Sequence, residues 1–148
     1  MKNKKIRVQR PLPKINADKK VPELETGDSP SFSFIHLTRS GKFRLESLDP
    51  AVYEEACALF YEKMNQLSSE SWTNILAQPK SEGTEKIDFR EIRISPSGIR
   101  PAKDEGVWSF RFGKGKIDYR ILAIRKKADP TLYVIGFDLA HNAYDHGS

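Results

Sequence analysis

The chain has 148 residues, 38% of them apolar, and a formal net charge of +5. That length supports one core of ordinary size and not two; the single cysteine, Cys57, excludes an intrachain disulfide and, among Val52, Tyr53, Ala56, Leu59 and Phe60, reads as a small core residue. No run of about 18 apolar residues is present for a membrane span, and the charged N-terminus has no apolar segment behind it, so neither a membrane partner nor a secretory signal is expected and the expected compartment is the cytoplasm.

Charge is spread unevenly. Residues 1 to 22 hold Lys2, Lys4, Lys5, Arg7, Arg10, Lys14, Lys19 and Lys20 against Asp18, a surplus of +7, which leaves −2 for the rest of a chain whose total is +5. Residues 1–30 also carry Pro11, Pro13, Pro22 and Pro30 and almost no apolar periodicity, so they bury too little to offset the entropy of ordering. An extended, flexible basic arm is expected there, with the folded domain over 31–148. Its cations can attract nucleic acid phosphates or an acidic protein without regard to sequence; the plain alternative is a solvated tail.

Within the domain, Ser31 to Leu37 alternates at Phe32 and Phe34 and predicts a strand, with His36 as a structural side chain. Phe43 to Leu48 reads as a second short extended piece. Asp49-Pro50 then starts a helix: an aspartate able to accept from exposed amides, proline at the first helical position, and Glu54 and Glu55 near the positive end of the dipole. Val52, Ala56, Leu59, Phe60, Met64 and Leu67 recur at helical spacing. Ser68 or Ser69 can cap a shorter helix carrying Trp72, Ile75 and Leu76 and ended by Pro79, which completes an α-hairpin.

Lys80 to Lys86 reads as a polar loop. Ile87 to Ile94 reads as a strand whose apolar phase changes across Arg90-Glu91, the mark of a bulge. Ser95 to Gly106, with Pro96, Gly98, Pro101 and Gly106, is a loop long enough to act as a lid. Trp108, Phe110 and Phe112 alternate with Ser109 and Arg111, Gly113 to Gly115 turn the chain, and Ile117 to Ile124 is apolar on both phases except at Arg120, as in a central strand. After the polar turn at Lys126 to Thr131, Leu132 to Leu139 is again apolar and runs into Asp138, His141, Asn142, Tyr144, Asp145 and His146. Three strands joined by short turns predict an antiparallel meander, and the class is α+β.

Strand, two helices and then an antiparallel meander resembles the RelE/ParE-like toxins of bacterial type II toxin-antitoxin pairs. The residues that carry the resemblance are Arg111, the glycine turn, Asp118-Tyr119-Arg120-Ile121-Leu122, and a last strand followed by His141 and Tyr144. Lys114 and Lys116 fall in the turn rather than in the middle strands, where some members of that family carry a lysine pair. The resemblance implies cleavage of messenger RNA, often in the ribosomal decoding site, and neutralisation by a cognate antitoxin. ParE-like relatives instead poison DNA gyrase and have no nuclease site.

The side chains supply a chemistry for cleavage without a metal or other cofactor. A base must take the 2′-hydroxyl proton, cations must offset the charge developing on the phosphate, and an acid must meet the leaving 5′-oxygen. Imidazoles titrate near neutral pH, which makes His141 and His146 candidate base or acid, with Tyr144 as donor or stacking platform. Arg120, with Arg111 beside it, offers a planar phosphate clamp on a rigid strand, and Lys114, Lys116 and the arm residues Lys2, Lys4, Lys5, Arg7 and Arg10 can hold the RNA backbone. Against this stand a salt bridge of Arg120 to Asp118 or Asp138, a solvated C-terminal turn, and a metal site of Asp138, His141, Asp145 and His146 at a spacing that fits no strong signature. The expectation is a metal-independent mRNA endoribonuclease centred on Arg120, His141, Tyr144 and His146. Its rival is a noncatalytic interaction domain, either a gyrase-inhibiting relative or an RNA or ribosome binder.

Overall fold

A computed structural model describes residues 29–79, 83–127 and 129–145. The arm as far as residue 28, and His146, lie outside the described residues. Among the described residues the fold is α+β: a five-stranded mixed sheet with one long helix and one short one.

Helix α1 spans Pro50–Ser69 and begins as the sequence dictates. The Asp49 carboxylate accepts from the Ala51 N–H at 3.2 Å, and proline fills the first helical position, where no donor is needed. Helix α1 runs two residues past Leu67, so neither Ser68 nor Ser69 caps the next helix. That helix, α2, spans Trp72–Ala77 and is capped by Ser71, whose hydroxyl accepts from the Asn74 N–H. Leu67, Trp72 and Ile75 are fully buried, packing with Phe110, Phe112, Ile121, Ala123, Leu132, Val134 and Phe137 of the sheet. Phe60 of α1 sits edge-on to Phe112 and Phe137, with ring centroids 5.8 and 5.2 Å away, so three aromatics lock helix to sheet.

The strands are β1 (Ser31–Ser33), β2 (Thr84–Ile87), β3 (Val107–Phe112), β4 (Tyr119–Arg125) and β5 (Thr131–Asp138), in the order β1-β5-β4-β3-β2. Neighbours pair antiparallel from β2 through β5, and β1 joins β5 in parallel, which makes the sheet mixed. β4 lies in the middle, matching its apolar character on both phases. A bulge opposite Leu122 and Ala123 turns Ile135 of β5 away from the helices, into a second core. That core covers the other face: Val107, Leu122, Ile124 and Ile135 meet Phe43, Ile87, Ile94, Ala143 and Tyr144, all carried by loops or chain ends except the β2 residue Ile87.

Three expected extended segments differ. β1 ends at Ser33, and the chain turns at Phe34 to Leu37, where the Leu37 N–H donates to the Phe34 carbonyl. Gly41 to Leu48 instead holds two single 3-10 turns, Gly41–Phe43 and Leu45–Ser47, because the N–H groups of Phe43, Arg44, Ser47 and Leu48 each donate to the carbonyl three residues back. Phe43 and Leu45 are both buried, and their spacing of two in sequence mimics one face of a strand, but they lie on opposite faces of the sheet. The strand expected at Ile87 to Ile94 is instead Thr84–Ile87, which shares only Ile87 with it and otherwise lies in the segment Lys80 to Lys86 that reads as a polar loop. Asp88 ends it by accepting from the Arg90 N–H, which folds a 3-10 turn at Phe89–Glu91. Ile92 and Ile94 then cover the second core without joining the ladder.

The long loop before β3 is pinned rather than loose. Buried Glu105 accepts from the Ala102 and Lys127 N–H groups at 2.6 and 2.7 Å and from Lys126 Nζ at 3.2 Å. At its other end the Ser97 N–H donates to the His36 carbonyl, and His36 Nδ1 lies 2.6 Å from the Ser97 carbonyl oxygen. His36 is thus engaged structurally. Cys57 is half-buried against the helix-side core.

Candidate active site

Alternation along β3 sends Trp108, Phe110 and Phe112 toward the helices and Ser109 and Arg111 to the other face. Antiparallel register sets Arg111 opposite Arg120 and Arg120 opposite Asp138. Two guanidiniums are thereby paired across the strands, a placement that repels unless an anion sits between them. Asp118 is that anion. Its Oδ1 accepts from Arg120 Nη1 at 2.5 Å and lies 3.0 Å from Arg111 Nε.

Arg120 is largely buried, with 10% of its side chain exposed, whereas the Arg111 and Asp118 side chains are 45% and 40% exposed. Burial works to raise the Asp118 carboxyl, but the hydrogen bond and charge of Arg120, with Arg111 and His141 behind them, outweigh it and hold the group below the usual aspartate range. Of the two aspartates offered by sequence as partners for Arg120, the salt bridge goes to Asp118.

Asp138 has another task. Fully buried at the end of β5, its Oδ1 accepts from the Asn142 and Ala143 N–H groups at 3.0 and 3.2 Å, folding the chain back over the sheet. Arg93 clamps the same turn from outside, its N–H donating to the Ala143 carbonyl and its Nη1 to that of Asn142. The turn forces His141 into the left-handed region at φ 56°, where a non-glycine residue is uncommon. In return its Nε2 lies 2.8 Å from the Asp118 carbonyl oxygen and 3.6 Å from Asp118 Oδ2.

Tyr144 follows into the face, almost fully buried, with its hydroxyl 3.0 Å from Ser109 Oγ and donating toward Glu85 Oε2 at 3.3 Å. Burial pushes its phenol up and the Glu85 carboxylate adds to this, while Ser109 and Arg120 pull the other way; it stays raised. The O–H therefore keeps its proton throughout the neutral range and can donate.

Arg111, Arg120, His141 and Tyr144 thus come together on the face away from the helices. Lys114 lines a cleft of about 310 Å³ that runs from Arg111 past Phe112 to Leu59, Glu62, Lys63 and Gln66 of α1. Lys116 is exposed on the same β3–β4 turn but does not line that cleft. Tyr119 packs against Phe112 on the helix side. Among the described residues no three His, Cys, Asp or Glu side chains are placed to hold a metal ion.

Comparison with protein-family models, with curated proteins and with solved structures returns no match. The side chains must carry the functional argument alone. Sequence reading missed two of them. Glu85 is hidden because the polar run Lys80 to Lys86 reads as a loop, although the spacing of Thr84, Glu85, Lys86 and Ile87 allows alternation. Ser109 carried no signal, because nothing in the chain order announces that a tail 35 residues later will meet it.

Proposed function

We propose that this protein is a RelE/ParE-like toxin that cleaves messenger RNA without a metal ion and is neutralised by a cognate antitoxin. The observation that carries the reading is the convergence of Arg111, Arg120, His141, Tyr144 and Glu85 on one partly open face. Further support comes from the order of a strand, two helices and consecutive antiparallel strands.

In this reading the 2′-hydroxyl attacks the adjacent phosphorus and its proton passes to a base, His141 or Glu85. Negative charge building on the non-bridging oxygens is offset by Arg120 and Arg111, which are permanently charged and fixed by the strands. The bond to the 5′-oxygen breaks, and that oxygen takes a proton from Tyr144 or from the imidazole. A 2′,3′-cyclic phosphate and a free 5′-hydroxyl result. His146 as a further candidate base or acid and the basic arm as an RNA contact belong to the same proposal, and Lys114 continues the cationic track beside Arg111.

The test is induction of Arg120→Gln and His141→Gln variants separately, with growth followed and transcripts mapped for breaks. Each is expected to lose about a hundredfold or more of the cleavage rate while still binding RNA, and wild-type cleavage is expected to survive EDTA. Growth arrest without broken transcripts would overturn the nuclease reading. It would favour the noncatalytic alternative, which draws support from the salt bridge of Arg120 to Asp118.

A further inference from the structure

The cations of the site are gathered around a carboxylate of the chain itself. Asp118 Oδ1 contacts Arg120 Nη1 and Arg111 Nε, and its Oδ2 is 3.6 Å from His141 Nε2. These donors come from β4, β3 and the turn after β5, so three separate segments converge on one two-oxygen anion. Two guanidiniums and an imidazole are also the donor set that suits a phosphate, whose oxygens accept from such groups in the same way. Asp118 lies just outside β4, on the β3–β4 connection, with its side chain 40% exposed at the mouth of the cluster.

We propose that the Asp118 carboxylate occupies the position of an RNA phosphodiester, so that an incoming strand binds by displacing it. The identity of the ligand rests on the RNA reading above. Displacement is mechanically simple: His141 also touches the Asp118 main-chain oxygen at 2.8 Å, so the turn can stay in place while the side chain swings out. Both anions cannot stay, because a carboxylate and a phosphate forced together in one cradle repel. With no strand bound, Asp118 keeps buried Arg120 from standing uncompensated, which would be costly.

The test compares wild type with Asp118→Asn, titrated with inorganic phosphate and with a 2′-O-methyl oligoribonucleotide that lacks the attacking hydroxyl. Losing an exposed competitor is expected to tighten binding of both by on the order of tenfold, and the R111Q/D118N double variant is expected to lose that gain. Equal or weaker binding by Asp118→Asn overturns the proposal, and a gain for phosphate alone overturns its assignment to RNA.

A second measurement needs no variant. The carboxyl carbon resonance of Asp118 in the wild type is followed against pH with and without the oligonucleotide. Its midpoint is expected to move up from the lowered position as the guanidiniums turn to the phosphate, and an unmoved midpoint with RNA bound overturns displacement. Neither measurement reads cleavage. Tighter binding by a protein that never breaks RNA would sink the nuclease reading and leave this one, and intact cleavage with no gain in binding would do the reverse.

Discussion

Tyr144 joins burial to chemistry more directly than any other residue of the site. Its ring belongs to the core behind the sheet, and its hydroxyl meets Ser109 and Glu85. Tyr144→Phe keeps the ring and removes only the oxygen, so the two contributions separate. Stability is expected to fall by about 1 kcal/mol, the net worth of one buried hydrogen bond with Ser109 left short of a partner, measured by chemical denaturation. Cleavage is expected to fall by about a hundredfold if the phenol is the proton donor. A variant that loses stability and keeps its full rate would make Tyr144 a packing residue. The role of Arg120 was half legible at this scale. A charged residue interrupting an apolar central strand announces a partner, but the choice between Asp118 and Asp138 was settled by the turn. Asp138 is committed to the backbone of residues 142 and 143.

At the level of elements, the β3–β4 connection positions both Arg111 and Asp118, and Gly113 makes it possible. Gly113 has φ 147°, and a Cβ there would lie 1.8 Å from the Ile117 carbonyl oxygen. Gly113→Ala is therefore expected to destabilise the fold by about 2 kcal/mol or more and to disturb Asp118 with it. The thermal midpoint reads the first effect and the RNA-binding constant the second. A second glycine holds the other side of Arg111: a Cβ on Gly83 would meet Arg111 Cβ at 2.4 Å, and the Gly83 carbonyl accepts the Arg111 N–H.

Helix α1 was legible because its cap, its proline and its apolar spacing all agree. The segments at Phe43 and Ile87 were not, because short apolar runs report burial, and the side chains that cover this face of the sheet come mostly from turns and loops.

Over the whole molecule, pH dependence follows from the carboxylates held below their ordinary values. Asp118 is one, and Glu105 is another: burial works against its charge, but the N–H groups of Ala102 and Lys127 and the ammonium of Lys126 outweigh this. A carboxyl lowered in the folded state contributes stability that is present above its unfolded value, about 3.9 for aspartate and 4.3 for glutamate. That contribution is lost as pH falls through the lowered folded value, so an acid limb is expected below about pH 4. Unfolding measured across that range should show a flatter limb for Glu105→Gln than for wild type, and an unchanged limb would mean that Glu105 does not hold the loop.

What the amino-acid order determined by itself is the class, the long helix, the three longest strands and the crowding of polar groups after the last of them. Each of these rests on local period, capping or turn chemistry, which a short window contains. Which of those polar groups meet was decided only in three dimensions. Arg111 comes from β3, Arg120 from β4, and His141 and Tyr144 from the segment after β5, and their meeting depends on strand register and on one backbone turn held by a buried aspartate. The mixed character of the sheet was decided there too, because a three-residue edge strand carries too little pattern to say which neighbour it will join.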